Sequence, residues 1–110
     1  MTPLIANFEK ILASGKDTAL LRFGLGNAYL DTGNPAPAVP HLRRAIELDS
    51  GYSAAWKLLG RALAASGDRA GAIDTYTKGI AIAESKGDKQ AMKEMQVFLK
   101  RLERPEHDSG

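Results

Sequence analysis

The chain of 110 residues contains no cysteine. That absence excludes a disulfide framework, a thiolate zinc site and a cysteine nucleophile together. Histidine is scarce, with only His41 and His107, and Trp56 is the single tryptophan. Charge of one sign is in short supply as an excess: 15 Lys and Arg against 13 Asp and Glu leave a formal net charge of +2. So small a surplus cannot supply the electrostatic footprint of a nucleic-acid binder, and no nucleic-acid partner is expected. No apolar run approaches the roughly 20 residues needed to span a bilayer, so no membrane partner is expected either. The opening MTPLIANFEK has no basic leader, and Glu9 and Lys10 interrupt its apolar stretch. It does not read as a secretory signal, and a cytoplasmic location is expected.

What is present is ordinary globular material, 44% hydrophobic and 25% charged. That suits one domain with one packed core. Catalytic patterns are missing. Asp31-Thr32-Gly33 spells the aspartic-protease triplet, but it falls at a helix end and its counterpart further on is Ala65-Ser66-Gly67. Gly24-Leu25-Gly26 has neither the third glycine nor the preceding strand of a phosphate loop. His41 and His107 lack companions at metal-binding or general-base spacing. The expectation is no catalytic residue, no metal, no cofactor, and hence no enzyme.

Comparing the chain with itself is more informative. A shift of 34 places lays residues 19–52 on 53–86. The pairs Leu25/Leu59, Gly26/Gly60, Ala28/Ala62, Gly33/Gly67, Ala36/Ala70, Ala38/Ala72 and Ile46/Ile80 then coincide. Small and large apolar residues at fixed offsets are what stacked helix pairs require. Each period holds two apolar stripes of helical spacing. Leu21, Leu25, Ala28 and Tyr29 form one; Ala38, Val39, Leu42, Ala45, Ile46 and Leu48 form the next. Asp17 or Thr18 can cap the first helix. Gly33 and Gly67 mark reversals, where glycine accepts positive φ, and Asn34 and Asp68 follow as caps for the next helix. Gly26 and Gly60 lie inside helices, where glycine costs about 1 kcal/mol relative to alanine. Close approach of a partner helix explains them, with Ala38 and Ala72 expected opposite. Pro40 should lose a helical hydrogen bond, so a late or distorted start is expected for the helix after Asn34.

The second period, AAWKLLGRALAASGDRAGAIDTYTKGI, resembles a tetratricopeptide repeat, with Trp56, Leu59, Gly60 and Ala72 on the pattern. Leu63 stands for its tyrosine, Tyr76 for its second aromatic, and Gly79 for its second alanine. The first period keeps Leu25, Gly26, Tyr29, Ala38 and Ala45, with Leu42 for the aromatic and Arg22 for the tryptophan. The usual closing proline is replaced by Ser50 and Glu84.

The resemblance implies an all-α fold, an α-α superhelix of antiparallel pairs with about six helices. The expected organisation is one domain over 1–102: a half-repeat helix at 3–14, repeats at 19–52 and 53–86, and a capping helix at 88–102. Residues 103–110 lack periodicity and are expected to be disordered. Leu4, Ile5, Phe8, Ile11 and Leu12 would line the inner face of the first helix. In the last, Ala91, Met92, Met95, Phe98, Leu99 and Leu102 would face inward. Lys89, Lys93, Glu94, Lys100 and Arg101 would face away, with Glu94 at the glycine position of the repeat.

In this family the first helix of each pair lines a concave face that receives other proteins. Carried over, the contact positions are Leu20, Phe23, Asn27, Leu30 and Asp31 in the first repeat. In the second they are Ala54, Lys57, Arg61, Ala64 and Ala65. Some members clamp a terminal carboxylate, but Phe23 and Leu58 stand where that clamp needs lysine and asparagine. A weaker version remains, in which Asn27, Lys57 and Arg61 engage an acidic segment and Phe23 anchors it; otherwise Lys57 and Arg61 solvate an exposed face. The implied function is a non-catalytic adaptor binding a short peptide or helix of another protein. The alternative is a self-assembling subunit joined through the groove or a terminal helix, to which Met92, Met95 and Phe98 would contribute if they are not cap core. A monomer or weak homo-oligomer fits either.

Overall fold

The computed structural model describes residues 3–104, which form six helices. They are α1 (Pro3–Ala13), α2 (Ala19–Asp31), α3 (Pro35–Leu48), α4 (Ser53–Ala65), α5 (Arg69–Ser85) and α6 (Lys89–Glu103). The segment 105–110, with His107, lies outside the described residues. Successive helices pack against each other along the chain, and the particle measures 47 × 33 × 19 Å. This is the all-α stack of helix pairs that the repeat implies.

The reversals follow from glycine. Gly33 and Gly67 adopt φ of 79° and 89°. Each lets the next amide fold back: Asn34 N–H donates to the Tyr29 carbonyl at 2.9 Å, and Asp68 N–H to the Leu63 carbonyl at 2.8 Å. These bonds close the orphan carbonyls at the ends of α2 and α4.

The starts of α2, α5 and α6 are capped at the third helical amide. Thr18 accepts from Leu21 N–H, Asp68 from Gly71 N–H and Asp88 from Ala91 N–H. Asn34 does not cap α3, contrary to the sequence expectation. The third residue of that helix is Pro37, which has no N–H to offer. The Asn34 side-chain amide instead donates back to Thr32. A second expectation also fails. Helix α3 starts at Pro35 and runs through Pro40 without a late or broken first turn. Ala36 and Pro40 are both exposed, so the helical bond that Pro40 cannot make is missing on a solvent-facing side. Pro35 and Pro37 fall where amides have no intrahelical partner anyway.

The core repeats one device. A side chain at Gly26 would collide with Leu42, and one at Gly60 with the Tyr76 ring. The large residue of one helix thus fills the hollow left by glycine on its partner. Ala38 and Ala72, expected opposite the glycines, are fully buried one turn earlier. A Cβ at Gly79 would meet Trp56 and the Met95 sulfur, which explains glycine where the repeat pattern has alanine. At the N-terminal end, Ile5, Phe8 and Leu12 pack on Leu25, Ala28, Leu21 and Tyr29. Leu4 and Ile11, read as inward-facing, are exposed. A helix packed on one neighbour buries a narrower stripe than one packed on two.

Candidate functional site

Helix α4 touches both α2 and α6, whereas among the described residues α1, α3 and α5 do not approach one another. The layer whose members lie closer together is the inside of the curve. The concave side is therefore built from α2, α4 and α6.

The contact positions read from the sequence distribute unevenly over this layer. Leu20 is 71% exposed, and Asn27 and Asp31 are exposed. Phe23 is half-buried because it stacks on Tyr52, with ring centroids 4.9 Å apart. Leu30 is half-buried against the core. Arg61 and Ala65 are exposed, and Ala54 and Ala64 are half-covered.

Lys57 is already engaged. Its Nζ donates to Glu94 Oε1 at 2.9 Å, tying α4 to α6. Glu94 therefore does not face away, as its place on the cap suggested. The carboxylate at the glycine position of the repeat reaches across to the preceding first helix. Lys57 is thus ion-paired across to α6, whereas Arg61 is exposed.

Arg61 instead rims a trough of about 400 Å³ between α4 and α6. Tyr76 and Phe98 form its floor, stacked at 5.8 Å between ring centroids. Ala64, Ala65 and Leu102 form its walls. Arg101 stands on the other rim, its guanidinium carbon 5.9 Å from the Phe98 ring centre. Burial pushes the Tyr76 hydroxyl up to about 12, and the nearby Arg61 charge pulls the other way. The floor is thus apolar, with a neutral phenol, between two guanidinium groups. Sequence reasoning found Arg61, Ala64 and Ala65 but read Phe98 as cap core and Arg101 as solvated. Their alignment with α4 depends on how α6 stacks, which no local pattern encodes.

A second polar cluster lies near the start of the stack, where Arg22 occupies the tryptophan position. Its Nε donates to Asp17 Oδ1 at 2.7 Å and its second terminal nitrogen to Asp17 Oδ2 at 3.1 Å. Arg44 adds a third bond to Asp17 at 3.2 Å. Arg22 also donates to His41 Nδ1 at 3.0 Å, and His41 stacks on Tyr29 at 5.7 Å. An accepting Nδ1 requires the neutral ring, with its proton on Nε2, the nitrogen 3.8 Å from Glu9 Oε1. A polar network thus replaces the packing that Trp56 supplies one repeat later. The sequence signal was Arg22 itself, an arginine at an apolar position of the pattern.

This cluster carries a pH prediction. Burial is the main cause that lowers His41 below 6.5; Arg22 adds to it, while Glu9 and Asp17 oppose it. Protonation is then easier in the unfolded chain, so stability is present above 6.5 and falls as pH drops below it. Hydrogen bonding to Arg22 is the main cause that holds Asp17 at about 2, against 3.8 ordinarily, so a further decline follows below that value. Thermal melts from roughly pH 7.5 to 5.5 should show the first decline, and His41→Gln should flatten it. An unchanged slope in His41→Gln would count against the assignment. Among the described residues no three His, Asp or Glu side chains gather as a metal site, and no helix is long and apolar enough to cross a membrane.

Helix pairs in register, glycine hollows filled from the next helix, and a concave layer of first helices define a helical-repeat protein of the superhelical type. The tetratricopeptide repeat family model matches residues 5–53 and 23–87. The chain is 55% identical over 101 residues to the TPR repeat-containing protein PA0015 of Pseudomonas aeruginosa, covering 92% of this chain and 96% of that one. The solution structure of protein BPP2914 from Bordetella parapertussis superposes with a TM-score of 0.80 at 48% identity, over 93% of this chain and 89% of that one. A tetratricopeptide repeat domain protein from Salinibacter ruber gives 0.73 at 27% identity, over 81% and 90%. The chain belongs to the tetratricopeptide repeat family. Proteins of this family are generally non-catalytic modules of protein–protein interaction.

Proposed function

We propose that this chain is a small adaptor whose concave layer, α2, α4 and α6, receives a short peptide or helix of another protein. The observation that carries the reading is the set of exposed and half-buried side chains on that layer. Leu20, Phe23, Asn27 and Leu30 from α2 lie beside Arg61 from α4, and an apolar trough continues the surface to α6. Large apolar residues next to hydrogen-bonding and cationic groups are the composition of a recognition surface. Lys57 contributes by holding α6 in place through Glu94 rather than by meeting the partner.

The test is differential capture with quantified partners. Phe23→Asp combined with Arg61→Glu changes the concave layer; Arg43→Glu combined with Lys78→Glu changes exposed positions on the outer helices α3 and α5. Partners retained by the outer variant and lost by the concave one are the expected result. Equal retention by both would overturn the reading.

Self-assembly through the groove or a terminal helix is the second reading. Met95 is fully buried and Phe98 lies between Tyr76 and Arg101, so exposed Leu4, Ile11 and Val97 would have to carry a contact between ends. Lys93 and Glu94 of α6 stand where α4 has Leu59 and Gly60, so a further helix cannot approach α6 as α5 approaches α4. Light scattering is expected to give a mass near 11.8 kDa. A stable dimer at micromolar concentration would favour self-assembly instead.

A further inference from the structure

Resting on the concave-face reading, we infer that the trough between α4 and α6 selects a partner segment in which one apolar side chain is flanked by two carboxylates. The trough offers Phe98, Leu102, Ala64 and Ala65 as apolar surface. Its volume of about 400 Å³ admits a side chain with part of its backbone. Arg61 comes from α4 and Arg101 from α6, so cationic groups stand on both rims.

Charge complementarity fixes the occupant. Four other cations are matched within the protein: Lys57 by Glu94, Arg22 and Arg44 by Asp17, Lys78 by Asp74. Among the described residues no carboxylate lies within ion-pair distance of Arg61 or Arg101. A guanidinium offers a planar fork that fits a carboxylate, and beside apolar surface that bond is strengthened. A leucine-sized side chain on the floor would leave the preceding and following residues beside the two rims. Acidic residues there satisfy both arginines; basic ones are repelled by both.

The probe is an acetylated and amidated pentapeptide, Gly-Glu-Leu-Asp-Gly, titrated into the ¹⁵N-labelled full chain. Companion peptides carry Gln and Asn for the two acids, or Gly for the leucine. The expected result is saturable shifts of the Ala64, Ala65 and Phe98–Leu102 amides with the acidic leucine peptide. Each companion should bind at least about tenfold more weakly, as expected for losing both charge-assisted contacts or the apolar anchor. Arg61→Gln combined with Arg101→Gln should abolish the preference for acid. Ala65→Phe, which fills the trough without altering charge, should weaken both leucine peptides alike. Equal binding of the acidic and amide peptides would overturn the inference, as would an absence of shifts. Shifts confined to α2 would also overturn it while leaving the concave face as the receiving surface. Partner capture indifferent to the Phe23 and Arg61 changes would remove that broader reading as well.

Discussion

Tyr76→Ala is expected to remove about 3–5 kcal/mol of unfolding free energy, the range for deleting a large buried aromatic side chain. Total stability for a domain of this size is about 5–15 kcal/mol, so the variant should be marginal. Tyr76 is only 2% exposed. Its ring fills the hollow over Gly60 on one side and stacks on Phe98 on another. Removing it therefore opens two successive contacts, α4 with α5 and α5 with α6. In a stack of repeats each element is held by those nearby, for α5 by α4 and α6, so no distant contact compensates. Urea denaturation followed by circular dichroism measures the loss. At roughly 4–8 °C per kcal/mol, the melting temperature should fall by well over 10 °C. Tyr76→Phe is the matched control. It keeps the ring and removes a hydroxyl for which no hydrogen bond is seen among the described residues, so stability should change by less than about 1 kcal/mol. A Tyr76→Ala variant as stable as wild type would mean that the glycine hollow is not a principal contact of the stack.

That hollow was legible in the sequence only in part. Gly26 and Gly60, 34 places apart, announced a close approach, because glycine inside a helix needs a reason. The residues filling it were misplaced by one turn, since Ala38 and Ala72 looked small enough to face a glycine. The packing rule is the reverse: the hollow takes a large side chain, Leu42 or Tyr76, and the alanines let the helices close in beside it. The repeat period gave the helix pairs because packing of neighbours is periodic along the chain. Polar contacts between repeats are not periodic. Lys57 finds Glu94 across 37 residues, and Asp17 finds Arg44 across 27. Those distances depend on the rise and rotation between successive pairs, which small backbone contacts set jointly. Asn34 failed as a cap for a local reason: the amide it needed belongs to a proline. The trough between Arg61 and Arg101 was half visible, because its α4 side follows the repeat and its α6 side does not.

Gly60→Ala tests the close approach without creating a cavity. Helix propensity alone favours alanine by about 1 kcal/mol. The added methyl would fall inside the contact radius of the Tyr76 ring, which is itself stacked on Phe98 and would have to displace it to retreat. Overpacking a close-packed site costs about 1–3 kcal/mol, so the variant is expected to be less stable than wild type despite the better helix former. Gly24→Ala in α2 separates the two effects. A Cβ there would lie 3.1 Å from the Phe8 ring, a side chain carried by the terminal helix α1. That helix packs on α2 alone, so it can yield by a few tenths of an ångström. Gly24→Ala should then be neutral or stabilising by up to about 1 kcal/mol. Opposite signs at the two glycines, in parallel urea titrations, are what the interlocked core requires. If both substitutions stabilised the chain, propensity would outweigh packing, and the spacing between α4 and α5 would be set by something other than Tyr76 against Gly60.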